Sequence, residues 1–294
     1  MFLSVDFIRH LETVIRQLTG TSFQISNIYP VSGGDIHNSF RIEGLQQSFF
    51  IKVNDAQRFP NIFVMEREGL KLLKRIGGAV VPDLLVAGEF NRDAFLLMSW
   101  IDSGEKTPAA QANLGRMLAF VHKNTQDFFG LEYDNYIGSL PQSNQAHPNW
   151  PDFFIEERLR KQVERSATSG SVNHILIEKF DKLYLKIPDL FPKEDPALLH
   201  GDLWNGNYMI NKEGVSFLID PAVYYGHREM DIALTKLFGG FDQAFYDAYQ
   251  EIFPLTPGWE ERINLCNLYI LLFHANVFGG GYMKQVETIV DSYV

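Results

Sequence analysis

A chain of 294 residues with 46% apolar and only 21% charged residues, carrying 24 Phe, 12 Tyr and 4 Trp, is far too aromatic for a disordered polypeptide and is long enough for one large or two linked domains. Twenty-six Lys and Arg against 36 Asp and Glu leave a formal net charge of -10, the wrong sign for a phosphate-neutralising surface, so nucleic acid is not an expected partner. The single cysteine, Cys266, excludes an internal disulfide framework and any paired-Cys zinc motif. The longest apolar runs, such as 268–273, fall well short of the ~18 residues that cross a bilayer, so no membrane role is expected.

In chain order, Asp6, Arg9, His10 and Glu12 interrupt what a secretory signal would need as an apolar core, and a cytoplasmic chain is expected. Phe7, Ile8, Leu11, Val14, Ile15 and Leu18 recur at helical spacing, with Gly20 as a left-handed stop, which predicts an amphipathic helix. From 25 to 53 the texture changes to short stretches around Gly33-Gly34, ending in the apolar run 48–53, the pattern of an antiparallel sheet. Apolar positions between 62 and 76, closed by Gly77-Gly78, predict a helix on that sheet, and 80–82 with 84–90, then 94–100, predict two more strands. Residues 1–101 thus read as an α+β unit, 102–108 as a short hinge, and 102–294 as a mainly helical unit with helices over 109–125, 151–166, 171–187 and 243–252. Arg158, Arg160, Lys161 and Arg165 are interleaved with Glu156, Glu157 and Glu164, giving Glu156/Arg160 and Glu157/Lys161 at i,i+4 spacing, which predicts a solvated helix face. Two stretches break the helical pattern, 131–150 and 196–240.

The second of these carries the chemistry. His200-Gly201-Asp202-Leu203-Trp204-Asn205-Gly206-Asn207 is followed by a predicted strand, 215–219, that ends in Asp220. Asn207 and Asp220 offer the hard oxygens that suit Mg²⁺, while Asp202 on the same loop is placed to orient a hydroxyl and accept its proton. The Asp-x4-Asn spacing with a downstream Asp is the arrangement protein kinases use for phosphoryl transfer. That logic asks for a turn over the phosphates, and Ser32-Gly33-Gly34-Asp35 supplies it. It asks for a strand lysine, which is Lys52, and for a helix carboxylate to hold the lysine, which is Glu66 or Glu68. Met98, Ser99, Trp100 and Ile101 would form the last strand and hinge beside an adenine edge.

The runs HGDLWNGN, DPAVYYGHREMDIALTKLFGGF, SGGDIHNSF, DNYIGSLPQ and HANVFGGGY resemble the fructosamine/ketosamine kinase family over nearly the whole chain, roughly 29–294. The resemblance implies the two-lobed fold of aminoglycoside and choline kinases, an N-terminal lobe over 1–101 and a C-terminal lobe over 102–294. It implies ATP and Mg²⁺ as cofactors and phosphorylation of the 3-hydroxyl of ketosamines, free or on glycated protein lysines, in deglycation repair, with ribulosamine and erythrulosamine ahead of fructosamine. Matched residue by residue, it implies Asp202 as the catalytic aspartate, Asn207 and Asp220 as metal ligands, Lys52 as the phosphate-contacting lysine, and Glu66 over Glu68 as its partner. Some family members carry a cysteine in the phosphate-covering turn; here Asp35 or its neighbours stand there and Cys266 lies far away. Trp204, Tyr224, His227 and Arg228 are candidates for the acceptor pocket, and Phe278 with Gly279 to Tyr282 for its closure. His200 and Asp231 read as supports of the catalytic loop rather than as reactive groups. Two other readings stay open on the residues alone: a kinase of the same fold acting on choline, an aminoglycoside or another sugar, and an inactive nucleotide-binding scaffold.

Overall fold

The computed structural model describes residues 3–32 and 36–294. Five strands, β1 (Asn27–Pro30), β2 (Asn38–Glu43), β3 (Ser48–Asp55), β4 (Leu84–Phe90) and β5 (Asp93–Ser99), form one antiparallel sheet in the order β1-β2-β3-β5-β4. Helix α1 (Val5–Thr19) starts where the Ser4 side chain accepts the Phe7 N–H and stops at left-handed Gly20, and it buries Phe7, Leu11 and Ile15 against one face of the sheet. Strand alternation sends Phe49, Ile51 and Val53 into that cluster and turns Lys52 to the opposite face. There α2 (Ile62–Arg75) packs, its Ile62, Phe63, Leu70 and Leu73 sharing one core with Leu96 and Met98 of β5. The stretch 80–82 lies outside the strands. Val80 instead accepts a hydrogen bond from Leu218 N, which ties the approach to β4 to the helical region.

Residues beyond the sheet are mainly helical: α3 (Pro108–His122), α4 (Trp150–Phe153), α5 (Lys161–Thr168), α6 (His174–Leu190), α7 (Glu229–Leu237), α8 (Gln243–Ile252), α9 (Trp259–Phe278) and α10 (Tyr282–Tyr293). Short hairpins punctuate them. In the stretch 131–150, which has no helical pattern, β6 (Asn135–Ile137) and β7 (Leu140–Gln142) pair, while β8 (Ala197–Leu199) pairs with β11 (Tyr224–Gly226) and β9 (Tyr208–Ile210) with β10 (Ser216–Leu218). The segment 102–107 is pinned rather than loose, since Gly104 N donates to Ile210 O and a Cβ on Gly104 would collide with the Asn211 backbone. Among the described residues no helix is long and apolar enough to cross a membrane.

The predicted solvated face over 156–165 is only half present. Residues Phe154–Arg160 form a π-helical stretch joining α4 to α5. Arg160 still meets Glu156 across i,i+4, but the wider turn rotates Glu157 and Arg158 into the interior, Arg158 with no exposed surface. Glu157 pairs with His147 at 3.0 Å rather than with Lys161.

Candidate active site

The loop 200–207 runs between β8 and β9 and is held from behind by one carboxylate. Asp231, in the first turn of α7, accepts His200 N at 2.7 Å on one oxygen and Gly201 N at 2.9 Å on the other. His122 adds a side-chain hydrogen bond at 3.1 Å, and its other ring nitrogen meets Tyr249 Oη at 2.8 Å. Burial opposes the charge on Asp231, but the His122 hydrogen bond, the neighbouring histidines and the Gly201 N–H more than offset it and hold the carboxyl below its ordinary range. His200 Nε2 donates to Ile219 O at 2.9 Å, clamping the loop to the segment that bears Asp220. Gly201 has φ of 82, and a Cβ there would strike the Ala222 carbonyl, so only glycine fits this bend.

These constraints bring Asp202, Asn207, Asp220, Lys52 and Glu66 to one cavity of about 540 Å³. Lys52 Nζ donates to Glu66 Oε1 at 2.8 Å and to the Asp220 carboxylate. Burial pulls the lysine down, but the two carboxylates outweigh it and keep the ammonium charged; the same burial pushes Glu66 up against the pull of Lys52. Glu68 points away, paired with Arg67 and Lys71. Asp220 sits at φ of 55, a left-handed conformation that costs a non-glycine residue on the order of 1 kcal/mol or more and re-aims its side chain after β10. Asn207 Nδ2 donates to Asp202 O at 2.8 Å and Asp202 Oδ2 at 2.9 Å, which leaves its amide oxygen without a hydrogen bond among the described residues. Burial, then the charge of Asp220, push Asp202 up to about 7, against the Asn207 hydrogen bond, so this carboxyl is a competent proton acceptor near neutrality.

The residues present fit a magnesium nucleotide. Asp220 and the Asn207 oxygen form a hard-oxygen pair beside a buried ammonium. Among the described residues no three His, Cys, Asp or Glu side chains gather into a self-sufficient metal site, so phosphate oxygens and water must complete any shell.

The cavity also has an aromatic lining. Trp204, Phe238, Phe273, His274, Phe278 and Tyr282 line it, with His274 stacked on Tyr282 at 5.0 Å and edge-on to Phe238 at 5.3 Å. Burial lowers His274 to about 4, so its imidazole is neutral and this lining carries no charge. His37, which the sequence reading passed over, also lines the cavity; burial, then Lys52, lower it to about 4, and its Nδ1 faces Asn54 Nδ2 at 2.8 Å.

Of the acceptor-pocket candidates the structure brings only Trp204 to the cavity. Tyr224 is buried in β11, its ring 4.0 Å from the Arg158 guanidinium. His227 is buried against Trp150 and Phe191. Arg228 is engaged bidentately by Glu194 at 2.7 and 2.9 Å and by the Phe253 and Pro254 carbonyls. These three hold the core behind the loop because β11 pairs with β8, not because they reach a ligand. Phe278 and Tyr282 do flank the cavity, around the break between α9 and α10. Met98 is buried, the Ser99 hydroxyl accepts Asp83 N, and the Trp100 indole donates to Asp102 beneath the Arg41 guanidinium; with Ile101 they lie outside the cavity lining. Ser32 is exposed at the end of the described chain, and Gly33, Gly34 and Asp35 lie outside the described residues.

An antiparallel sheet carrying a lysine, a helix glutamate, and a loop with Asp, Asn and a strand-end Asp below it define the kinase-like fold of the aminoglycoside phosphotransferases. The aminoglycoside phosphotransferase APH(4)-Ia, in ternary complex with AMP-PNP and hygromycin B, superposes with a TM-score of 0.62 at 15% identity over 96% of this chain and 98% of its own. The chain belongs to the fructosamine kinase family, whose model matches residues 7–294. The "Probable ketoamine kinase" of Enterococcus faecium is 39% identical over 272 residues, 90% of this chain and 95% of that relative. The chloroplastic protein-ribulosamine 3-kinase of Arabidopsis thaliana is 36% identical over 94% of this chain and 85% of its own length. A Haemophilus somnus protein provisionally described as a fructosamine-3-kinase has a crystal structure with a TM-score of 0.87 at 25% identity, covering 97% of this chain and 96% of that one.

Proposed function

We propose that the protein transfers the γ-phosphoryl group of ATP to the 3-hydroxyl of ketosamines, ribulosamine and erythrulosamine ahead of fructosamine, as a step of deglycation. The observation that carries this reading is Asp202, held by Asn207 Nδ2 at 2.9 Å and sharing one cavity with Lys52, Glu66 and Asp220 and with a set of aromatic side chains. The acceptor oxygen attacks the γ-phosphorus, the bond to the ADP oxygen breaks, and the hydroxyl proton passes to Asp202. Mg²⁺, held by Asn207 and Asp220, would supply charge neutralisation on the phosphates. Lys52, oriented by Glu66, positions those phosphates; the turn 32–35 would cover them, and the backbone at 98–101 would meet the adenine edge. Trp204 and the rings around His274 give the apolar, uncharged surface that an amine-linked substituent would lie on. Phosphorylation at that position destabilises the sugar adduct and frees the amine.

A panel of ribulosamine, erythrulosamine, fructosamine, choline and an aminoglycoside, read by ADP release, tests it. Turnover confined to the ketosamines is expected. Preferred turnover of choline or the aminoglycoside would replace the acceptor assignment, and no turnover of any acceptor would leave a nucleotide-binding scaffold.

A further inference from the structure

Arg158 has no exposed surface, and among the described residues it has no carboxylate partner. A buried cation of this kind is costly unless hydrogen bonds compensate it, and here it is compensated by Ser143 O, Glu157 O, Asn144 Oδ1 and the faces of Tyr224 and Phe153. An arginine can only donate, so the bond from Arg158 Nη2 at 2.8 Å fixes which end of the Asn144 amide is oxygen. That orientation turns Asn144 Nδ2 toward Asn135 at 3.0 Å, and the receiving atom must be the Asn135 oxygen. Gln142 repeats the constraint from the other side. The Ala222 carbonyl 3.1 Å away can only accept, so the atom facing it is Nε2, which also donates to the same Asn135 oxygen at 2.8 Å, while Oε1 accepts from Tyr269 Oη at 2.7 Å. Asn135 therefore has its Nδ2 fixed as well: one hydrogen bonds Val223 O at 2.8 Å, and the second has no partner among the described residues.

Asn135 is buried and lines the catalytic cavity. It shares that lining with Asp202 and Asp220, and its Nδ2 is bonded to Val223 O in the segment just after Asp220, whose Ala222 carbonyl lies where a Cβ on Gly201, the neighbour of Asp202, would stand. The network thus presents a donor that cannot reverse into an acceptor. Resting on the ketosamine-kinase reading above, we infer that Asn135 is a specificity-determining residue whose free amide hydrogen bonds the oxygen on carbon 2 of the ketosamine, with Arg158, Asn144 and Gln142 as its positioning residues. A keto oxygen only accepts hydrogen bonds, and it sits on the carbon beside the one that carries the reacting 3-hydroxyl.

The test compares two acceptors, an N-alkyl ribulosamine and its analogue with a methylene at carbon 2, on the wild type and on Asn135→Ala. The wild type should show a KM for the analogue roughly 10- to 100-fold above that for the ribulosamine, the size expected when a site's buried donor loses its partner. Asn135→Ala should show the same rise on the ribulosamine and no further rise on the analogue, with KM for ATP unchanged. Equal loss on both acceptors, or a rise in KM for ATP alongside, would reduce Asn135 to a structural role and overturn the inference. So would a wild type that handles the two acceptors alike. Should Asn135→Ala not fold, Asn135→Ser repeats the comparison with the same expected outcomes. A wild type inactive on the ribulosamine overturns the kinase reading itself, and that result is visible before any variant is made.

Discussion

Removing the carboxylate of Asp231 should unfasten the catalytic loop. In Asp231→Ala the backbone N–H groups of His200 and Gly201 lose their acceptor, as does His122 Nε2, and all three residues are buried. Hydrogen bonds to a charged group are each worth ~1.5–3 kcal/mol, so the two backbone bonds alone amount to about 3–6 kcal/mol, a large share of a total stability on the order of 5–15 kcal/mol. Asp231→Asn should cost less, about 2 kcal/mol, because one oxygen is kept while an amide –NH₂ now confronts a backbone donor. Urea unfolding followed by fluorescence gives the stability change, and faster hydrogen exchange of the 200–202 amides locates it in the loop. The contribution also has a pH sign. Because the folded carboxyl lies below its unfolded value, the stabilisation is complete above the ordinary aspartate range near pH ~4 and is lost as pH falls through the folded pKa. A loss under ~0.5 kcal/mol in Asp231→Ala, or unchanged exchange at 200–202, would refute the anchoring argument.

Lys52→Ala should abolish turnover and leave the fold intact, since the amine serves a cleft ion cluster rather than the apolar core; circular dichroism with ADP release checks both. Asp202→Asn should lower kcat steeply with little change in Mg·ATP affinity, whereas Asp220→Asn should weaken Mg·ATP binding; nucleotide titration of the two variants separates the roles. If the transition state is loose, Asp202→Asn keeps a measurable residual rate, because orientation of the hydroxyl survives the loss of charge. EDTA should abolish turnover and added Mg²⁺ or Mn²⁺ restore it, and full turnover in the chelated enzyme would contradict the role given to Asn207 and Asp220.

The cluster Lys52, Asp202, Asn207 and Asp220 was legible because phosphoryl transfer demands those side chains in that order, and spacing alone carries order. Helix period decided Glu66 against Glu68 only once α2 was packed, for residues two apart face different ways. Tyr224, His227 and Arg228 were misread because nearness to Asp220 in sequence says nothing about direction, and the pairing of β11 with β8 turned them inward. Arg158 looked solvated because it sits in a run of mixed charges read at 3.6 residues per turn, and the π-helical stretch over 154–160 does not keep that period. Asn135 could not be singled out, since its role comes from Asn144, Gln142, Arg158 and Tyr269, which only the fold brings together. His274 lay inside the HANVFGGGY run, but its place against Phe238 and Tyr282 depends on how α9 and α10 meet α7 and its C-terminal end.

The central claim is the identity of the acceptor atom. Incubation of the protein with Mg·ATP and a ribulosamine, followed by two-dimensional phosphorus–proton correlation of the product, reads that atom directly. The account predicts a new phosphomonoester signal coupled to the proton on carbon 3 of the sugar, formed in step with ADP and strongly reduced with Asp202→Asn over the same interval. A signal coupled to any other carbon's proton, or ADP and inorganic phosphate formed while the ribulosamine is left unconsumed, would contradict it.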